Sequence, residues 1–262
     1  MKKGFTLVEL AIVLVIVGLL VGGTLAGQEL IKQAQASKAV AEINNIERAL
    51  YAFYTKYNGY PGDLRNPTMF FPACNDVMMG GYQTNIVGDG NGKIDSHTMG
   101  TVYEYTCTFM QLAVSGLYIT KGIEKDSQLP GVPTHDVVFE NGDVSALAYW
   151  LNTKKYISIR DYMHQMGAFD FEEHSISPGK GAMLMLLGNS SFTTTFSTPE
   201  YSYILDSKID DGHPAKGKMF AQSNDFICYT NSGLTSMPTF PNAESAYDLT
   251  VTEEVCALFY KF

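Results

Sequence analysis

Charge is scarce in this chain, and so are tryptophan, cysteine and catalytic patterns. Charged residues make up 17% of the 262 residues, against 45% hydrophobic. Wholesale disorder needs the opposite balance and is excluded. Four cysteines are too few for a disulfide framework that replaces a core, yet an even number permits two bridges in an oxidising compartment. The net charge is −9 and the pI near 5.0, so no general attraction for nucleic acid or anionic lipid exists and no nucleic-acid partner is expected. The histidines are His97, His135, His164, His174 and His213. None stands in a His-Glu-x-x-His pattern, and no Gly-x-Ser-x-Gly occurs, so they read as surface or packing groups and no enzyme is expected. Trp150, the single tryptophan, reads as core. There is no internal repeat and no low-complexity linker.

Against this background the N-terminus stands out. Met1-Lys2-Lys3-Gly4 is short and basic, Phe5-Thr6-Leu7-Val8-Glu9 follows, and then a charge-free run extends from Leu10 to Gln28. As a helix that run measures about 28 Å, close to the hydrocarbon thickness of a bilayer. A secretory signal peptide, cut near Ala26-Gly27, is one reading of such a segment. A signal anchor with Lys2 and Lys3 on the cytoplasmic side is another. Neither accounts for Glu9, because a carboxylate inside an apolar span is costly and points to a partner charge.

Gly4-Phe5-Thr6-Leu7-Val8-Glu9 closely resembles the cleavage and methylation motif of the type IV pilins and the pseudopilins of type II secretion. The resemblance implies that Gly4 ends a leader removed by prepilin peptidase, that Phe5 becomes the N-methylated first residue, and that Glu9 is the glutamate used in filament assembly. In a filament, the Glu9 carboxylate would pair with the Phe5 ammonium of a neighbouring subunit. Screening is weak in an apolar core, and desolvation offsets much of the gain, so the pair is expected to set register more than affinity. Loss of Lys2 and Lys3 would make the chain two charges more negative.

Beyond Gln28 the pattern becomes amphipathic. Val40, Ile43, Glu47, Leu50, Tyr54 and Tyr57 recur three or four apart, with Ile46 and Phe53 widening the stripe. No proline precedes Pro61, so one helix from Phe5 to Tyr57 is expected, about 80 Å long. A split near Gly22-Gly23 is the alternative. Asn58-Gly59-Tyr60-Pro61-Gly62-Asp63 then stops the helix with turn residues. The expected organisation is leader 1–4, membrane and polymerisation half 5–28, amphipathic half 29–57 and a globular domain 58–262.

Residues 64–262 alternate aromatic and β-branched runs with Gly, Pro, Asn and Asp. Asp136–Glu140, Tyr156–Ile159, Phe192–Phe196 and Phe226–Thr230 read as strands, and Thr106–Leu117 and Val144–Leu151 as short helices. The expected fold class is α+β: a long N-terminal helix packed on a globular domain with an antiparallel sheet, pilin-like by the resemblance.

Gly88-Asp89-Gly90-Asn91-Gly92-Lys93-Ile94-Asp95 resembles the middle of an EF-hand-type loop. The resemblance implies calcium, with Asp89, Asn91 and Asp95 supplying side-chain oxygens, Lys93 a backbone carbonyl and Gly92 the sharp turn. Val87 and Thr98 stand where two ligands belong, and Glu104 could substitute only if the chain folds back. A plain turn without an ion is the alternative. Ile204–Pro214, with Asp206, Asp210 and Asp211, resembles a helix-to-turn segment of minor-pilin-like proteins; a structural turn and an acidic metal site are its two readings. Cys74 and Cys107 flank the first loop, and Cys228 and Cys256 flank a C-terminal hairpin candidate. Three pairings exist and local pairing is the simplest. Each local bridge would contribute about 3.5 kcal/mol in the chain-entropy account.

The chain is larger than typical major pilins, so the resemblance implies a minor pilin or large pseudopilin. Its partners would be other pilin subunits, met through the N-terminal helix. It would sit in the inner membrane with its domain in the periplasm before assembly. A membrane-anchored binding protein or adhesin that does not polymerise is the rival reading.

Overall fold

The computed structural model describes residues 6–71, 76–78, 81–83, 87–94, 104–118, 136–139, 142–145, 148–149, 156–160, 183–187, 196–223, 227–230 and 244–262. The first element is one unbroken helix, α1 (Leu7–Tyr57), of 51 residues and about 77 Å. Gly22 and Gly23 do not split it. Its backbone bonds close within the segment, so weak propensity at a few glycines is outvoted by the apolar neighbours on both sides. The helix stops at Asn58, which takes the left-handed conformation (φ 56°, ψ 39°) and donates its N–H to the Tyr54 carbonyl.

The first half of α1 buries nothing inside the chain, whereas the second half carries the core. Ala36, Ala39, Ile43, Ile46, Ala49, Leu50 and Phe53 are buried. Of the expected stripe, Ile43, Leu50 and the widening residues Ile46 and Phe53 are buried, and Val40, Glu47, Tyr54 and Tyr57 are not. These last lie at the rim: Val40 and Glu47 are half-buried and Tyr54 is exposed. The buried face also takes in Ala36, Ala39 and Ala49, whose small apolar area does not mark a face by itself.

After α1, a single-turn 3-10 helix (Pro67–Met69) leads to a hairpin, β1 (Asp76–Met78) with β2 (Gly81–Gln83). A 3-10 turn (Glu104–Cys107) runs into α2 (Thr108–Val114), in agreement with the helix expected there. A second hairpin pairs β3 (Asp136–Phe139) with β4 (Gly142–Ser145). Then come β5 (Ala148–Tyr149), β6 (Tyr156–Arg160), β7 (Met183–Leu187), α3 (Pro199–Ile209), β8 (Met219–Ser223) and β9 (Cys256–Lys261). Strands β5 to β9 form one antiparallel sheet in the order β5-β6-β7-β9-β8. The fold is thus α+β, a long apolar helix joined to a domain with antiparallel strands.

Two expected elements differ. Val144–Leu151 is not a helix: Val144 lies in β4, and Ala148–Tyr149 pairs with Tyr156 and Ile157. A short apolar run does not separate helix from strand by period, and the aromatic and β-branched residues followed the sheet. Within Phe226–Thr230, residues 227–230 form no strand, only an isolated bridge between Tyr229 and Tyr247. Residues 192–195 and Trp150 lie outside the described residues.

The core joins these parts. Ile43, Ile46, Leu50 and Phe53 of α1 share one cluster with Phe109 and Met110 of α2, Leu205 of α3, Met219 and Ala221 of β8 and Leu258 and Tyr260 of β9. Phe220 stacks on Phe259 across β8 and β9 at 5.2 Å. At the edge of this core, Lys218 Nζ donates to Glu47 Oε1 at 3.0 Å and Tyr260 Oη donates to Glu47 Oε2 at 3.1 Å, which ties β9 to α1.

Candidate functional site

The start of α1 is built by Thr6 and Glu9. Thr6 is the N-cap, in extended conformation, and its Oγ1 accepts from the Glu9 N–H at 3.3 Å. In return Glu9 Oε2 accepts from Thr6 N at 2.7 Å and from Thr6 Oγ1 at 2.9 Å. This is a capping box, and Thr6-x-x-Glu9 is its sequence signature. It gives Glu9 a local role that the sequence reading overlooked. Both Thr6 donors go to Oε2, and Oε1 accepts no hydrogen bond among the described residues. Gly4 and Phe5 lie outside the described residues, immediately before this cap.

From Leu7 to Gln35 no residue is buried, and the apolar window there passes the length and hydropathy test for a membrane span. An all-round apolar surface of this kind belongs in a bilayer or in a protein core. Among the described residues, nothing covers it.

Residues 1–25 match the family model of the prokaryotic N-terminal methylation motif. The N-terminus thus carries a prokaryotic N-terminal methylation motif. The match supports the type IV pilin and pseudopilin family, in which this segment is structural. No curated protein and no solved structure matches the chain. The methylation motif and the apolar helix together fit membrane anchoring.

The loop read as a calcium candidate is organised by a residue outside it. Asp63 is buried below the end of α1, and its Oδ1 accepts from Gly90 N at 2.7 Å and Asn91 N at 3.1 Å. Its Oδ2 accepts from Gly92 N at 2.8 Å. Asp89 and Asn91 spend their side-chain oxygens within the loop: Asp89 Oδ1 accepts from Asn91 N, Asp89 Oδ2 from Asn91 Nδ2, and Asn91 Oδ1 from Lys93 N. The chain does fold back to Glu104, whose Oε1 accepts from Asp89 N at 2.9 Å. Asp63, Asp89 and Glu104 bring carboxylate oxygens within 4.8 Å of one another. Asp95 and Thr98 lie outside the described residues. Burial pushes the Asp63 carboxyl up to about 6, against the pull of the Gly92, Gly90 and Asn91 N–H groups and with a further push from Asp89. The sequence signal for Asp63 was Tyr-Pro-Gly-Asp, read only as a turn. Gly62 beside it has φ +95°, and an added Cβ would run into the Glu104 backbone, so glycine is required there.

A second acidic group sits at the C-terminal end of α3. Asp206 is fully buried, and its Oδ2 accepts from Tyr247 Oη at 2.9 Å. Its other oxygen, Oδ1, is buried, and the carboxyl is also hydrogen-bonded to the Asp210 carboxylate. Asp210 Oδ1 accepts from Asp211 N at 2.8 Å. Asp210 Oδ2 accepts from the N–H of Lys218, and from Met219 N at 3.0 Å. The Asp206 carboxyl is pushed far up by burial and by its hydrogen bond to Asp210. Burial opposes ionisation of Asp210 too, but the Asp206 carboxyl and the N–H groups of Met219, Asp211 and Lys218 hold it below the usual range. Asp206 and Asp210 are therefore an acid and a carboxylate.

Cys228 and Cys256 form a disulfide, as local pairing implied. It joins the turn before the Tyr229–Tyr247 bridge to the first residue of β9. Cys107 is buried and disulfide-bonded, while Cys74 lies outside the described residues. Of the histidines, His213 alone is described; its Nδ1 accepts from Ala215 N at 3.1 Å, a turn contact.

Proposed function

We propose that this chain is a filament subunit, a minor pilin or large pseudopilin of a type IV pilus-like or type II secretion filament. Prepilin peptidase cuts it after Gly4, and Phe5 becomes the methylated N-terminus. Before assembly the first half of α1 holds it in the inner membrane, with the domain in the periplasm. In the filament that half packs against the same half of other subunits. A Cys74–Cys107 bridge beside Cys228–Cys256 suits that oxidising location.

The observation that carries this reading is a coincidence at one place. The methylation motif covers residues 1–25, and the same stretch of α1 buries none of its apolar surface in its own chain. The cap adds a detail: it turns the Glu9 carboxylate towards the helix start, where cleavage would create an amine, and it leaves Oε1 to accept from a neighbouring subunit. Leaving that amine uncompensated in an apolar core costs about 3–5 kcal/mol.

The test compares the amount of protein in sheared filaments with the membrane pool. Glu9→Leu is expected in the membrane and absent from filaments. Thr6→Val breaks the cap but keeps the carboxylate, and is expected in both. Equal incorporation of Glu9→Leu, or a mature N-terminus other than methylated Phe5 by mass, overturns the reading.

A further inference from the structure

We propose that a cleft at the end of α1 binds an acidic sugar, a pyranose that carries a carboxylate. The cleft lies between the last turn of α1, the 3-10 turn at Pro67–Met69 and the loop at Gly90 and Gly92, and holds about 370 Å³. That is the lower end of the range for small-molecule sites and suits one substituted ring. No residue of the apolar half of α1 lines it, so the site goes beyond the filament reading and does not depend on assembly.

Part of the lining is aromatic. Tyr54, Tyr57 and Phe70 contribute to it, and the rings of Tyr57 and Phe70 lie 5.3 Å apart at 59°. Phe70 is 56% exposed and Tyr54 44%. Such rings gain most when covered, and here they stay open. The C–H groups of a pyranose form a flat apolar face that covers a ring of this kind, while its hydroxyls point away to polar partners.

The cleft also holds a positioned cation. Arg65 Nε donates to the Asp89 carbonyl at 2.7 Å. The arginine stem lies against Gly90 (φ +69°), where an added Cβ would stand 2.6 Å from Nε. The two Nη groups donate to nothing among the described residues, and no carboxylate among them forms an ion pair with Arg65. An arginine held by Nε with both Nη groups free presents an end-on fork, which grips a carboxylate by two parallel hydrogen bonds.

Asn58 and Asn66 select for hydroxyls. Both line the cleft, and neither side-chain amide is hydrogen-bonded among the described residues. Each amide offers donors and an acceptor together, and a hydroxyl answers both. Asp63 lines the cleft too, but its oxygens are spent on the N–H groups of Gly90, Asn91 and Gly92. A neutral sugar would leave the arginine fork to water, and a plain aromatic acid would leave the amides to water. A hydroxylated ring with a carboxylate uses all three features.

The test titrates glucuronate into the full-length protein, held in a detergent without a sugar headgroup, and follows saturation transfer to the sugar protons by NMR. A dissociation constant of about 1 mM is expected for a ligand of about thirteen non-hydrogen atoms. Glucose lacks the carboxylate and 4-hydroxyphenylacetate lacks the hydroxylated ring, and each should bind about tenfold more weakly. Arg65→Gln should weaken glucuronate about tenfold and leave glucose unchanged, a split that a merely structural arginine would not produce. Phe70→Ala removes an exposed ring, so the fold should survive, and both sugars should weaken alike by about fivefold. Lys216→Gln, outside the cleft, should change nothing. Near-ultraviolet circular dichroism checks that each variant is folded. Absence of saturation by about 50 mM glucuronate overturns the proposal. Equal affinity for glucose or 4-hydroxyphenylacetate, unchanged affinity in Arg65→Gln or Phe70→Ala, or a loss in Lys216→Gln overturns it equally.

Discussion

Between Leu7 and Gln35 no residue of α1 is buried; between Ala36 and Phe53 seven are. The two halves share one backbone and one hydrogen-bond ladder, so the contrast comes from side chains alone. In the second half, polar residues break the apolar pattern and define a face, and the domain covers it. In the charge-free stretch from Leu10 to Ala26 no face exists, because the surface is apolar nearly all round. Gly18, Gly22, Gly23 and Gly27 belong to the first half, and a Cβ added at any of them would meet nothing within 4 Å. Packing inside the chain does not ask for those glycines. Among the described residues, one half of the helix is covered by its own molecule and the other is not.

Truncating a side chain in each half gives the largest expected difference. Phe53 is fully buried and lies between Tyr57 and Phe71, with ring centroids at 4.5 and 5.5 Å. Phe53→Ala should destabilise the domain by about 3–5 kcal/mol. Leu14, 64% exposed, should leave domain stability unchanged as Leu14→Ala. Urea unfolding of the full-length protein in detergent, followed by near-ultraviolet circular dichroism, measures both. Equal losses would erase the distinction between the halves.

A carboxylate anchors the region at each end of α1, and their surroundings differ as the halves do. Glu9 stands on an exposed cap, whereas Asp63 is buried and takes three backbone N–H groups. The folded Asp63 carboxyl lies at about 6, above its ordinary value, so the folded state binds the proton more tightly. Its contribution to stability is full at pH below about 4, falls as pH rises to about 6, and is flat beyond, a loss of at most about 3 kcal/mol. The difference between wild-type and Asp63→Asn stability from pH 4 to 7 should follow that slope. Parallel curves would mean that Asp63 is solvated in the folded protein.

How much of this was legible in the sequence depended on how local the cause was. The long helix, its stop at Asn58, strands β3 and β6, and helix α2 all rest on patterns within a few residues. The methylation motif is likewise contiguous. The loop at 88–95 was legible as a loop, but its organiser was not, because Asp63 stands 25 residues before Gly88 and its carboxylate meets the loop only through the fold. Asp206 gave the same difficulty: its partner Tyr247 lies 41 residues on. Thr6-x-x-Glu9 is the opposite case. That signature was contiguous and was passed over because Glu9 was read as a charge in need of a distant partner. The alanines on the buried face of α1 were not legible for a third reason, since Ala36, Ala39 and Ala49 carry little apolar area beside Ile43, Ile46, Leu50 and Phe53.

The smallest expected effect lies at the border between the halves. Lys32 Nζ donates to Glu200 Oε2 at 2.7 Å, the ion pair nearest the border, one turn before Ala36, the first buried residue of α1. Glu200 stands in the first turn of α3, where the helix dipole already favours a carboxylate without any lysine. Both side chains are more than 40% exposed, at 42% and 45%, so solvent screens the pair. Lys32→Gln should therefore cost less than about 1 kcal/mol, and the difference should vanish in about 1 M salt, where the screening length falls to about 3 Å. A loss above about 2 kcal/mol that persists in salt would mean something else: that Lys32 packs its stem against the domain as well as pairing its charge. The border would then fall a full turn earlier, and less of α1 would be left for a bilayer or for other subunits to cover.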